Sequence, residues 1–224
     1  MKLTNEGIAV IEGDNYLSQH IIDQKRLDVG AEFLEQFRQY IPKRGVVVDV
    51  GASLGDYTVT FAEMVGRGGR VYAFEPNPPT YECLLYNTIN LASIICFPTG
   101  LGAEVSRANV IQDHHNIGAS RLTLIDSGAI HVSTLDSWFA LGYSKRLDFL
   151  KIDAEGFEPL VLDGAKITIA ECRPVMLIEV NTWPLGKMEF TAEDVFSRLD
   201  ALNYQFDRFD GPYGDILCLP KERA

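Results

Sequence analysis

Cysteine is scarce in this sequence, and its spacing has no pairing pattern. Cys83, Cys96, Cys172 and Cys218 are scattered, with no C-x-x-C pair. That excludes a disulfide framework and leaves buried free thiols of a reducing compartment. Long apolar runs are missing too. None approaches the roughly 20 residues that cross a bilayer, and MKLTNEGIAVIEGDN is not a charged-then-apolar leader. Positive charge is in deficit: 20 Lys and Arg stand against 31 Asp and Glu, for a net charge of −11. A surface of that sign repels DNA, RNA and anionic membranes. The expectation is a cytoplasmic protein with a small-molecule or glycan partner, no nucleic acid and no membrane insertion. A homodimer is left open.

What is present is an alternation of strands and helices. With 224 residues, 46% hydrophobic and 23% charged, the chain suits one α/β domain over 1–224 with one good core. Residues 7–14 read as a short strand or hairpin and 18–30 as a loop feeding a helix over 31–41. Strands follow at 46–50, 70–76, 94–98, 147–153 and 174–180, with helices at 57–65, 78–91, 155–169 and 191–204 between and after them. The last helix opens with a capping-box spacing from Thr191 to Asp194. Residues 102–135 break the rhythm with short β-like runs around HHNIGAS, a β-rich insertion after strand three. Segments 204–210 and 215–220 close the chain as an antiparallel hairpin on an otherwise parallel sheet.

The alternation is organised around VVVDVGASLGDYT, residues 46–58. Four valines around Asp49 describe a strand buried on both faces. Gly51 and Gly55 then make a turn where a ligand approaches the backbone and the free N–H groups of the next helix. A dinucleotide fingerprint fails here, because Ser53 and Asp56 stand where the second and third glycines belong. The Gly-Lys-Ser/Thr of a phosphate loop is also missing. Two acids, Asp49 and Asp56, repel a pyrophosphate and favour a cofactor that carries ammonium and sulfonium charge. Glu75 ends strand two, placed to accept from both ribose hydroxyls. Together these features fit S-adenosylmethionine.

The segments VVVDVGASLGDYT, FEPNP, STLDS, DFLKIDAEGFEPLVLDGA and RPVMLIEVN resemble, in order and spacing, the FkbM-type S-adenosylmethionine-dependent methyltransferases. The likeness covers roughly residues 44–181, and LKIDAEGFE with the following L-D-G-A turn is its most specific part. It implies a Rossmann-like class I methyltransferase fold and O-methylation, typically of sugar or polyketide hydroxyls. On that resemblance Asp49, Gly51, Gly55, Glu75, Asn77 and Asp153 are cofactor-pocket positions, with Ser120 on the adenine side. Ala52, Tyr57 and Pro76 of the same turns are counted with them. Residues 1–43 carry no matching motif and are expected to act as a substrate or lid segment.

Methyl transfer to a hydroxyl is an in-line displacement that asks for alignment and for a base or a metal. Asp153 and Glu155 follow strand four, and Glu179 and Asn181 end strand five, side by side in such a sheet. Asp153 is expected as the base, with Glu155 and Glu179 orienting substrate or loop. Glu155 as a helix cap and Glu179 as a backbone ligand are equally weighted alternatives. Asp153, Glu179 and Asn181 as Mg²⁺ ligands, in the manner of catechol-type O-methyltransferases, is the competing arrangement. Metal independence is favoured because the spacing is loose. His114 and His115 read as solvated, with a base or adenine contact as the lesser alternative for their loop, His20 as a more remote substrate contact, Trp138 as core, and Trp183 as a residue near the substrate mouth. An NAD-dependent oxidoreductase is disfavoured by the broken fingerprint. A non-catalytic cofactor-binding or interaction module is disfavoured by the intact acids.

Overall fold

The computed structural model describes residues 1–208 and 211–223. The chain opens with a two-stranded hairpin, β1 (Lys2–Leu3) and β2 (Ala9–Val10), and then α1 (Leu17–Gln24). Residues 18–30 were expected as a loop, yet most of α1 lies there. Asp14 starts the helix by accepting the N–H groups of Tyr16 and Ser18, and Ile21 is fully buried. The helix expected over 31–41 shortens to α2 (Ala31–Glu35) and continues as a 3-10 turn at Arg38–Tyr40. Leu34, Phe37 and Ile41 are nonetheless all buried, so the apolar stripe serves the core in both forms.

The sheet begins with β3 (Val46–Val50), followed by α3 (Asp56–Val65), β4 (Arg70–Phe74), α4 (Pro78–Thr88) and β5 (Ile94–Phe97). The insertion builds its own four-stranded sheet from β6 (Gly100–Leu101), β7 (Ser106–Ile111), β8 (Arg121–Leu124) and β9 (Ile130–Ser133). A helix not foreseen, α5 (Leu135–Ala140), returns the chain to β10 (Phe149–Ile152), its first N–H groups capped by Thr134. The single helix expected over 155–169 is two, α6 (Glu158–Asp163) and α7 (Lys166–Cys172). Gly164 divides them, because the chain there runs against the Gly102 carbonyl, leaving no room for a side chain. β11 (Val175–Asn181), the short α8 (Thr182–Lys187), α9 (Ala192–Ala201), β12 (Tyr204–Gln205) and β13 (Tyr213–Pro220) complete the chain. The Thr191–Asp194 capping box is formed. The strand expected over 204–210 pairs only at Tyr204–Gln205, and residues 209–210 lie outside the described residues.

The central sheet has seven strands in the order β12-β13-β11-β10-β3-β4-β5. The pairs from β11 to β5 are parallel, and the terminal hairpin joins antiparallel through β13. This is the Rossmann-like arrangement with its closing hairpin. Because side chains alternate, each strand sends one set of residues to each face. Val48, Tyr72, Leu150 and Met176 enter one core, and Val47, Val71, Phe149 and Leu177 enter the other, beneath α2 and α3. Both faces are covered, which is why β3 reads as unbroken valine around one acid.

Trp138 anchors the larger core. Its ring lies 4.6 Å from Tyr72, 5.6 Å from Phe97 and 4.8 Å from Tyr143, linking α5 to β4 and β5. Trp138→Ala is expected to lower unfolding free energy by about 3–5 kcal/mol. Urea denaturation checks this, and a loss below about 1 kcal/mol would show that the cluster closes over the gap.

Candidate active site

The ends of β3, β4 and β10 open onto a cavity of about 220 Å³. Gly51, Tyr57, Glu75, Pro76, Asn77, Ser120, Asp153 and Glu155 all face it. Asp49, Ala52 and Gly55 stand behind the wall, and Glu179 lies beside the acids rather than on the lining. Leu17 from the N-terminal segment and Ile117 from the insertion complete the far side. Those two segments are clasped: the Asp14 carboxylate accepts the Ile117 N–H at 3.3 Å, and Asn15 donates to the His115 carbonyl at 2.9 Å. His114, His115 and His20 are exposed and off the lining.

The glycine turn is built differently from the ligand-facing loop expected. The N–H groups of Gly51 and Ala52 both donate to the Phe74 carbonyl, and Ser53 N–H donates to Glu75 at 3.0 Å. The turn amides are therefore spent on β4. Gly51 has φ of 75°, and a side chain there would strike the Asp153 carbonyl. Its glycine is required by the close approach of β10.

Glu75 is held from both sides, since Asn77 N–H also donates to it at 2.9 Å. Two acceptor positions of this buried carboxylate are left for a ligand. Asn77 sits at the N-cap of α4, but its side chain caps nothing. Its Nδ2, with Thr80 Oγ1 and Ser53 Oγ, is buried without a hydrogen-bond partner among the described residues. All three residues line the cavity. Buried polar groups of this kind carry a desolvation cost until a partner arrives. Ser120 uses its hydroxyl oxygen to accept the Asp113 N–H at 3.1 Å.

On the other side stands an acidic group. Oxygens of Asp153, Glu155 and Glu179 lie within 4.8 Å of one another, close enough to share one divalent cation in principle. The Asn181 side chain caps α8 by accepting the Trp183 N–H. Two residues that sequence reasoning passed over organise the group. Lys151, nearly buried, places its Nζ 3.2 Å from Asp153, 3.6 Å from Asp49 and 3.1 Å from the Gly51 carbonyl. Glu158 accepts the N–H groups of Ala154 and Gly156, doing the capping that Glu155 was offered. Glu155 is thereby free and sits at φ of 51°, a left-handed conformation uncommon for its type. The signal for Lys151 lay in its alternation with Asp153 and its register opposite Asp49.

Burial dominates the proton affinities. It pushes Asp56, Glu75 and Glu158 up to about 7, and Glu155, with Asp153 adding repulsion, to about 8. Glu179 is raised further by burial and by its acidic neighbours, and Asp215, opposite it on β13, rises to about 6. Burial opposes the charge on Lys151, but Asp153, Asp49 and Asp56 outweigh it and hold the ammonium above the usual lysine range.

A family model described as the methyltransferase FkbM domain matches residues 49–206. The chain belongs to this family. Residues 49–206 carry its methyltransferase FkbM domain. Among solved structures it is similar to an FkbM methyltransferase from Methylobacillus flagellatus KT, at 19% identity and a TM-score of 0.52. That match covers 80% of this chain and 44% of the other, so the FkbM chain described here spans less than half of that relative's length. A putative rRNA-methylase from Clostridium thermocellum aligns at 11% identity and a TM-score of 0.54, over 86% of this chain and 94% of its own. Fibrillarin from Aeropyrum pernix, solved with natively bound S-adenosyl-L-methionine, aligns at 12% identity and 0.50, over 80% and 68%. At these identities the likeness is one of fold. No curated protein matches the sequence. No helix among the described residues is long and apolar enough to cross a membrane.

The cavity of this FkbM chain fits its cofactor chemically. Glu75 and the unpartnered atoms of Asn77, Thr80 and Ser53 supply acceptors and donors, and the acids supply the field that a sulfonium and an ammonium require.

The raised carboxyl values have a thermodynamic sign. A carboxyl whose folded value exceeds its unfolded one stabilises fully below the unfolded value, near 4.5 for Glu, and that contribution is lost as pH rises through the folded value. The ligand-free protein is therefore expected to melt at a lower temperature at pH about 8 than at about 6. A cationic ligand favours the ionised acids, so S-adenosylmethionine should stabilise more at the higher pH. Differential scanning fluorimetry across that range checks both signs, and a melting temperature that rises with pH refutes the first.

Proposed function

We propose that the protein transfers the methyl group of S-adenosylmethionine to a hydroxyl oxygen of a sugar, glycolipid or small natural product. The observation that carries this reading is that one cavity has a nucleoside-type wall on one side and carboxylates on the other. Glu75 would hold the ribose hydroxyls, with Asn77, Thr80 and Ser53 engaging the remaining polar atoms of the cofactor and Asp56 and Asp153 facing its positive charges. When bound, S-adenosylmethionine supplies a methyl group on a sulfonium that leaves as a neutral thioether. A hydroxyl that attacks it must lose its proton to the protein. Asp153 is the cavity-facing acid beside the Lys151 ammonium. On this reading the hydroxyl proton passes to its carboxylate. Burial and acidic neighbours hold Glu155 and Glu179 towards their protonated forms, in which they donate hydrogen bonds that orient the acceptor. Trp183, exposed between Arg121 at 5.5 Å and Lys187 at 5.3 Å, offers the acceptor a flat face beside α8.

S-adenosylmethionine is expected to raise the melting temperature and to bind with measurable heat in calorimetry. Asp153→Asn should cut transfer by about 10²-fold or more, well beyond any loss of cofactor affinity, which should stay within about tenfold. Transfer is followed as labelled methyl entering a panel of sugar and natural-product hydroxyls. A wild-type protein that binds no S-adenosylmethionine refutes the cofactor reading, and an Asp153→Asn variant with wild-type turnover refutes the base. Transfer abolished by a chelator and regained with Mg²⁺ would reassign the three acids to a metal-assisted role.

A further inference from the structure

Among the described residues, Lys151 is a cation on the cavity wall that is engaged on several sides at once. On β10 it stands opposite Asp49 of β3 in the parallel ladder, and its side chain reaches forward to the ends of both strands. The ammonium donates to the Gly51 carbonyl at 3.1 Å, pairs with Asp153 Oδ2 at 3.2 Å and lies 5.3 Å over the Tyr57 ring. It also lies 3.6 Å from Asp49 Oδ1, a buried oxygen with no hydrogen-bond partner among the described residues. The ammonium thus makes one hydrogen bond, to Gly51, and two ion pairs, to Asp153 and Asp49.

We propose that Lys151 is a positioning residue that locks the cofactor turn to the proton-accepting carboxylate. Gly51 belongs to the turn beneath the cofactor, and Asp153 belongs to the acids facing the acceptor. One ammonium fixes the distance between them. This assignment rests on the methyltransferase reading above for its consequence, but the lock itself is a property of the ligand-free protein. The other charged groups near Lys151 include Asp56 at the start of α3, Glu75 beyond β4, Glu155 after β10, Glu179 on β11 and Asp215 on β13. With every neighbour acidic, deleting the ammonium makes the pocket more negative. If the lysine acted through charge alone, its loss would tighten binding of the sulfonium S-adenosylmethionine relative to the uncharged thioether S-adenosylhomocysteine. If it acts by position, both should weaken in the same proportion.

The test uses calorimetry with both ligands and amide exchange of the ligand-free protein, on wild type, Lys151→Met and Lys151→Arg. Lys151→Met is expected to weaken both ligands by about tenfold or more. It should also speed exchange at Gly51 and Ala52 relative to amides of α9. Lys151→Arg should recover most of each. Affinities within about twofold of wild type, a gain for S-adenosylmethionine alone, or no recovery by arginine each overturn the inference. Should Lys151→Met not fold, the pair Asp49→Asn with Lys151→Met removes both buried charges, and the same loss of turn protection is required of it. If wild type binds neither ligand, the functional reading fails, while exchange at Gly51 and Ala52 still decides the lock.

Discussion

Two strand ends set the geometry of this protein: β3 and β10 run parallel, and the Gly51 backbone passes against the carbonyl of Asp153 with no space for a side chain. That contact brings the turn after β3 and the turn after β10 into one wall. Each turn needs glycine, at Gly51 and at Gly156, because the chain reverses within a few residues against other backbone. The amides of the first turn then bond to β4, so the turn is braced on the sheet before any ligand arrives.

The second constraint is electrostatic. Asp49, Asp153, Glu179 and Asp215 come from four neighbouring strands, and by alternation they emerge on the same side of the sheet as Lys151. A single ammonium cannot neutralise so many carboxylates, and burial discourages their charge further. At Asp49, Glu179 and Asp215 the excess is carried as raised proton affinity. A site of this kind is costly for the folded protein, and it is suited both to a cationic cofactor and to accepting a proton at neutral pH. Thr58 satisfies one oxygen of Asp49 at 2.6 Å, which confines the shortfall to the side facing Lys151.

The cavity also depends on segments far apart in the chain. The N-terminal hairpin is fastened to α4 by Asn87, whose amide bonds both the N–H and the carbonyl of Ala9 and also the Leu54 carbonyl. From that anchor Asp14 reaches the insertion at Ile117, and Leu17 and Ile117 face the same space. The N-terminal segment thus contributes to the wall of the site.

Much of this was legible in the residues. The valine run around Asp49, the acid ending β4, the alternating helices and the closing hairpin follow from periodicity and turn chemistry, which are local. LKIDAEGFE was legible as a family signature. The helix breaks at residues 36–37 and at Gly164 were not, because they answer to packing: the first bends an apolar stripe around Leu34 and Phe37, and the second lets α6 pass the Gly102 carbonyl. Nor was the division of labour among the acids. By itself the sequence determined which residues stand at the strand ends and what charge they bring. Only the tertiary structure decided that Asp49 lies behind the wall, that Glu158 rather than Glu155 caps the turn, and that Lys151 holds the two turns together. Those outcomes depend on strand order and register, which bring residues about a hundred positions apart within a hydrogen bond of one another.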